Sequence, residues 1–187
     1  AIARTIRNAY NQKIKNLFFL VAHRRVPPAL SALIQDKTLS IDGFLLPGHV
    51  SSITGIAPFA EVLHNKYPAV ITGFESLDII AGIMSITDLL VKKKAETVNM
   101  YRRAVRDEGN PLARQLVESV FKPVDALWRG IGFIPQSGLA LKDEFTGFNA
   151  CVKFAVKPDE KEMPSGCSCG EVLKGKIKPS DCTLFNS

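Results

Sequence analysis

Three cysteines stand close together late in this sequence, as Cys167-Ser-Cys169-Gly-Glu and, thirteen residues on, Asp181-Cys182-Thr-Leu-Phe. Thiolate sulfur is a strong ligand for zinc and for the iron of iron–sulfur clusters, and such sites ordinarily take about four ligands. Three thiols followed so soon by the end of the chain predict an incomplete ligand set, and with it a fragment. The Cys-x-Cys spacing matches neither the common zinc ribbon nor the bacterial ferredoxin run. Two other readings therefore stand beside metal binding: a thiol-exchange pair with one exposed, acidified thiol, or three ordinary cysteines. The fourth cysteine, Cys151, lies in the apolar run Phe148-Asn-Ala-Cys-Val-Lys-Phe154 and reads as a small buried hydrophobe.

His49 and Glu75 are the other side chains placed to do chemistry. His49 follows Pro47-Gly48 at an expected strand end, where it is either a proton carrier or ligand contact, or a turn-stabilising histidine. Glu75, in Gly73-Phe-Glu75, is either a proton acceptor or cation ligand, or an acidic residue favoured at a helix start by the macrodipole. Asp78 lies about one helical turn further on, where it either shares a face with Glu75 or simply solvates it. Ser51 and Ser52 resemble helix caps as much as nucleophiles, because no Gly-x-Ser-x-Gly elbow surrounds them. No Walker loop or Gly-x-Gly-x-x-Gly occurs, so nucleotide binding has no direct support.

These residues need elements to hold them. Apolar runs alternate with helix-period segments: helix over 1–13, strand over 16–22, helix over 27–36, strand over 41–46, helix over 56–66 and strand over 69–72. That βαβ rhythm predicts an α/β fold, a Rossmann-like domain with a parallel sheet and flanking helices. His49 and Glu75 then fall at carboxyl ends of strands, where ligands of open parallel sheets bind. Helices are expected over 77–93, 95–107 and from Pro111 to Phe121, and an extended glycine-rich segment over Trp128–Pro135. Residues 157–166 are polar and proline-bounded, predicting a linker. The expected organisation is an α/β domain over 1–156 and, over 157–187, the linker with a small irregular C-terminal lobe bearing the cysteines.

With 46% hydrophobic and 22% charged residues, composition is that of a globular protein, and no segment approaches the roughly 18 apolar residues of a membrane span. The net charge of +6 raises nucleic acid as a partner. The basic residues Lys92 to Lys94, Arg102, Arg103 and Arg106 lie on stretches interspersed with acids and lacking aromatic platforms, which reads instead as a solvated face. Neither nucleic acid nor membrane is expected. The N-terminus shows no secretory signal and reads as a helix entered partway along. Reduced thiols or metal ligands, and a cytoplasmic location, are the corresponding expectations.

Several motifs in series resemble one family. They are Pro47-Gly-His-Val-Ser-Ser-Ile-Thr-Gly55, Gly73-Phe-Glu-Ser-Leu-Asp-Ile-Ile80, Asn99-Met-Tyr-Arg-Arg-Ala-Val105 with Gly109-Asn110, Trp128-Arg-Gly-Ile-Gly132, and Cys167-Ser-Cys-Gly-Glu-Val-Leu-Lys-Gly175 with Asp181-Cys182. Together they resemble the HypD hydrogenase maturation factors along nearly the whole chain. The resemblance implies an iron protein of [NiFe]-hydrogenase assembly, a scaffold rather than an ordinary turnover enzyme. On it, with the small partner HypC, iron receives cyanide delivered through HypE, and carbon monoxide. It implies two α/β domains facing a cleft and a C-terminal lobe with a [4Fe-4S] cluster, of which this chain supplies the second domain and part of the lobe. His49 and Glu75 match cleft-lining motifs, and Cys167 or Cys169, together with Cys182, match cysteines of the cluster region.

The sequence also departs from the family pattern. The family's Cys-Gly-Thr-His, Cys-Pro-Val-Cys and Gly-Phe-Glu-Thr-Thr segments do not occur in these 187 residues, nor do its further cysteines downstream of Phe185. Ser76 stands where proline is usual. The expectation is therefore a piece that does not complete a cluster, or the iron-dicyanide unit, alone. The alternative in a different class is a small-molecule α/β enzyme whose tail carries a structural zinc or a redox-active Cys-x-Cys pair.

Overall fold

A computed structural model of the chain describes residues 1–156 and 166–186. These residues group into two compact units. The first comprises Ala1–Ala29, Gln115–Leu173 and Ile177–Ser187, and the second Leu30–Arg114 with Lys174–Lys176. The expected linker falls almost entirely on 157–165, outside the described residues.

The second unit is built on a three-stranded parallel sheet, β1 (Phe44–Pro47), β2 (Ala69–Thr72) and β3 (Thr97–Asn99), in the order β1-β2-β3. Parallel neighbours need crossovers, and the chain supplies helices. Two short ones, α3 (Gly48–Thr54) and α4 (Ala57–Leu63), lead from β1 to β2, and the long α5 (Ser76–Val91) leads from β2 to β3. Ala69, Val70 and Ile71 of the central strand are fully buried, which is why Ala-Val-Ile-Thr reads as a continuous apolar run rather than an alternating one. Phe59 and Leu63 of α4 are also buried.

The first unit packs α1 (Ile2–Asn11) against an antiparallel hairpin, β4 (Phe121–Trp128) and β5 (Gly132–Leu141). Ala3, Ile6 and Ala9 recur at helical spacing on one face of α1 and meet Val120, Phe121, Leu141, Phe145 and Phe148. A 3-10 helix (Asp143–Phe148) and the short helices α7 (Ala150–Lys153) and α8 (Cys169–Leu173) carry the chain to its cysteine region. Two further helices, α2 (Val26–Gln35) and α6 (Pro111–Val120), begin and end close to where the sequence places them. The α/β class with a parallel sheet, flanking helices and a cysteine-bearing C-terminal region holds. Among the described residues no helix is long and apolar enough to cross a membrane.

Two local expectations need correction, and one strand, β4, went unread. Residues 16–22 form no sheet strand: Phe19 makes one isolated bridge to Asn149, and Leu17, Phe19 and Val21 lean on the core as a half-buried extended segment. The expected helix over 95–107 is β3 followed by turns. There the Asn99 side chain accepts from Tyr101 N at 2.9 Å and donates to Val105 O at 2.9 Å, closing a loop that competes with helix. The glycine-rich segment around 128–135 is the turn and second strand of a hairpin whose first strand, β4, carries Pro123 and so escaped notice.

Candidate functional site

Cys167, Cys169 and Cys182 line one hollow of about 470 Å³ with Arg129, its walls otherwise apolar side chains including Val172, Leu173 and Phe185. All three thiols are free and half-buried. The Cys167 and Cys169 sulfurs are 3.0 Å apart, and Arg129 Nη2 reaches Cys167 Sγ at 3.7 Å. Among the described residues no three His, Cys, Asp or Glu side chains converge on one point as a mononuclear site needs. Cys182 instead faces the shared hollow from its own turn.

The turn carrying Arg129 is held there by a backbone contact. Gly130 has φ +81°, a conformation that side-chain-bearing residues avoid, and a Cβ added to it would stand 2.8 Å from Gly170 N; a Cβ on Gly170 would strike Gly130 O. Two facing glycines thus let the β4–β5 turn lie directly on the start of α8. Electrostatics follow from that placement. Hydrogen bonding by Cys169, first through its side chain and then its backbone N–H, and next by Arg129, lowers Cys167 to about 7. Cys169 is pushed up by the same hydrogen bond and by burial. The pair therefore shares one proton near neutrality, with the thiolate favoured on Cys167.

The second cluster gathers at the carboxyl ends of the second unit's strands. His49, in the first turn of α3, stacks on Phe74 with ring centroids 4.4 Å apart, and the Tyr101 ring lies 6.5 Å from it. Glu75 stands at the N-cap position of α5 without a side-chain capping bond and is largely exposed, whereas Asp78 in the first turn is buried. Arg103 joins them: both guanidinium nitrogens grip Asp78, at 2.5 and 2.6 Å, one reaches Glu75 at 3.1 Å, and the guanidinium lies 4.6 Å over the Tyr101 ring. The Arg103 hydrogen bonds hold Asp78 well below the usual carboxylate range against the opposing effect of burial.

Small residues make this packing possible. A Cβ on Gly48 would stand 2.5 Å from the Tyr101 ring, and one on Gly73 would overlap the Asp78 carboxylate. The Pro-Gly-His and Gly-Phe-Glu motifs therefore need glycine for close approach of Tyr101 and Asp78. His49 and Glu75 stand where the sequence puts them. Asp78, Tyr101, Arg103 and Arg129 are the partners that complete the two sites. The signal for the last three was their place in the motifs Asn99-Met-Tyr-Arg-Arg and Trp128-Arg-Gly, whose partners lie far away in sequence.

Comparison with known proteins gives a consistent picture. A family model described as "HypD: Hydrogenase formation hypA family" matches residues 1–187. The chain is 35% identical over 187 residues to the hydrogenase maturation factor HypD of Escherichia coli, covering 99% of this chain and 50% of that protein. It is 36% identical over 193 residues to the hydrogenase expression/formation protein HupD of Azotobacter chroococcum, covering 99% and 51%. Against the maturation factor HypD of Cupriavidus necator it is 35% identical over 196 residues, covering 98% and 50%. The chain thus spans about half the length of the curated relatives it matches.

Proposed function

This chain belongs to the HypD family of hydrogenase formation proteins, and from that premise we propose that it is part of an iron–sulfur scaffold on which the Fe(CN)2CO unit of [NiFe]-hydrogenase is assembled. In this reading it works in the cytoplasm with HypC-type and HypE-type partners. Cys182 and one of Cys167 and Cys169 contribute ligands to a [4Fe-4S] cluster whose remaining ligands lie outside these residues. The observation that carries the proposal is the hollow lined by three thiols and one guanidinium.

The donor set suits such a cluster. Each cysteine of a cubane binds a different iron, so the thiolates need to surround a volume rather than converge on one point, and soft sulfur is the preferred donor. Sulfurs 3.0 Å apart are too close to serve two corners of one cubane, which supports a single ligand from the Cys167–Cys169 pair. When bound, the cluster supplies one-electron chemistry. The chain's own residues hold the thiols against an apolar wall, limit water there, and set Arg129 to offset negative charge. In the strand-end cluster, Arg103 fixes Glu75 and Asp78, leaving His49 on its aromatic platform to meet a small ligand or a proton.

Anaerobic reconstitution of the full-length parent tests this. One [4Fe-4S] cluster per chain, by iron and sulfide analysis and electron paramagnetic resonance, is expected, with loss of the signal in Cys182→Ala. A parent that takes up no iron and does not retain a HypC-type protein in pull-down refutes it. The close sulfur pair favours a second reading, a thiol–disulfide exchanger using Cys167 and Cys169. A reversible two-electron dithiol titration in metal-free protein supports that reading, and its absence removes it.

A further inference from the structure

A second hollow, of about 520 Å³, lies in the second unit and shares only Arg103 with the strand-end cluster above. Ser52, Arg102, Arg103, Arg106, Asn110 and Leu112 are among the side chains that line it. Its volume suits a small ligand. Its chemistry is one-sided: three arginines border it, and no carboxylate does. Arg103 is neutralised by Asp78 and Glu75, but the other two are not. Arg102 uses only Nε, at 3.4 Å from Asn99 O, which leaves its terminal nitrogens uncommitted, and the Arg106 guanidinium has no partner among the described residues. Asn110 spends its side-chain oxygen on Ala113 N, so its amide nitrogen remains a third donor.

The loop bearing these donors is firmly seated. Ile56 N donates to Asp107 O, Asn110 N to Ile53 O and Gly109 N to Arg106 O, each at 3.0 Å. Asp107 and Glu108 belong to the same loop but do not line the hollow. Uncompensated guanidinium groups lining one concave surface favour an anion there, and their planar forks match the oxygens of phosphate. No aromatic ring lines the walls to stack a base. We propose that this hollow binds a phosphate-type oxyanion, held by Arg102, Arg106 and the Asn110 amide, either as free phosphate or pyrophosphate or as the phosphate of a small ester.

Calorimetric titration of this chain at low ionic strength, with inorganic phosphate, pyrophosphate and glycerol 3-phosphate in parallel, tests the assignment. At least one should bind in the micromolar to millimolar range. Arg106→Gln should weaken it about tenfold, equivalent to roughly 1.4 kcal/mol. The double change of Arg102 and Arg106 to Gln should abolish it, Arg106→Lys should retain part, and Arg114→Gln, outside the hollow, should leave it intact. Tighter binding of the ester supports the esterified source, and tighter binding of phosphate or pyrophosphate the free one. The proposal is overturned if none of the three binds, or if Arg114→Gln weakens binding as much as Arg106→Gln. Because both arginines are exposed, unchanged urea midpoints are expected for the variants and separate lost binding from lost folding.

Discussion

Replacing Gly130 by alanine tests the contact that brings Arg129 to the thiols. At φ +81° an alanine occupies a region that costs a side-chain-bearing residue about 1–2 kcal/mol. Its Cβ would also stand 2.8 Å from Gly170 N and 3.1 Å from the Cys169 carbonyl carbon, both backbone atoms that no rotamer change can move aside. Overpacking of that kind costs about 1–3 kcal/mol, so the total is about 2–5 kcal/mol. Trp128, the single tryptophan, lies two residues away in the same unit and reports its unfolding by fluorescence. With an m-value of about 2 kcal/mol per molar, the urea midpoint should fall by about 1–2.5 M. Two glycines separate the components of the loss. Gly132 has φ +106° but open space around it, so Gly132→Ala carries only the conformational cost; Gly147 has open space and no positive φ, so Gly147→Ala should stay within about 0.5 kcal/mol of wild type. Equal losses for Gly130→Ala and Gly132→Ala would refute the backbone contact, and with it the reason Arg129 sits beside Cys167.

Three further outcomes are expected. In metal-free protein Cys169→Ala removes the largest cause of the lowered Cys167 value, so the pH midpoint for alkylation of Cys167 should rise from about 7 toward the ordinary 9.0, followed by peptide mass spectrometry; a midpoint still near 7 would leave the backbone N–H of residue 169 and Arg129 as the acidifying groups and refute the role of the Cys169 thiol. Asp78 is ionised more readily folded than unfolded, so its contribution is present above the unfolded value of about 3.9 and lost as pH falls through the folded one. Thermal melts of wild type should accordingly weaken on acidification below about pH 4 more steeply than those of Asp78→Asn, and parallel curves would contradict the Arg103 pairing. Phe59→Ala empties a fully buried site on α4 and should cost about 3–5 kcal/mol in chemical denaturation; a loss below about 1 kcal/mol would place Phe59 outside the core.

Legibility in the sequence followed the range of the interactions. Ala3, Ile6 and Ala9 announce α1 because a helix's buried stripe repeats within a few residues, and Ala69-Val-Ile-Thr72 announces a central strand because both its faces are covered. The segment 95–107 misled because Thr97 and Val98 gain their strand geometry from pairing with β2, some 28 residues earlier, while Asn99 locks the turn that follows. The β4–β5 hairpin hid for a similar reason. Its strand includes Pro123 and a bulge between Val124 and Ala126, and what holds it is the long-range packing of Phe121 and Leu141 on α1. At the sites, the thiols and the strand-end His49 and Glu75 were visible from residue type and spacing. Their cationic partners were not, because Arg103 reaches Asp78 across 25 residues and Arg129 reaches Cys167 across 38.

Those two arginines reveal a common construction. Each sits on a turn that follows a strand, Arg103 after β3 and Arg129 after β4, and each turn is seated where glycine permits close approach: Tyr101 against Gly48 and Gly73, and Gly130 against Gly170. The guanidinium then meets an acidic pair, Asp78 with Glu75 in one unit and Cys167 with Cys169 in the other. An arginine so placed does not titrate near neutrality, so it supplies a fixed positive charge beside which Asp78 in one unit and Cys167 in the other are held in their charged forms more readily. The motif glycines are therefore part of the electrostatics of both sites. A side chain at Gly73 or Gly130 would act on the chemistry by displacing a charge, even though neither glycine carries a reactive group.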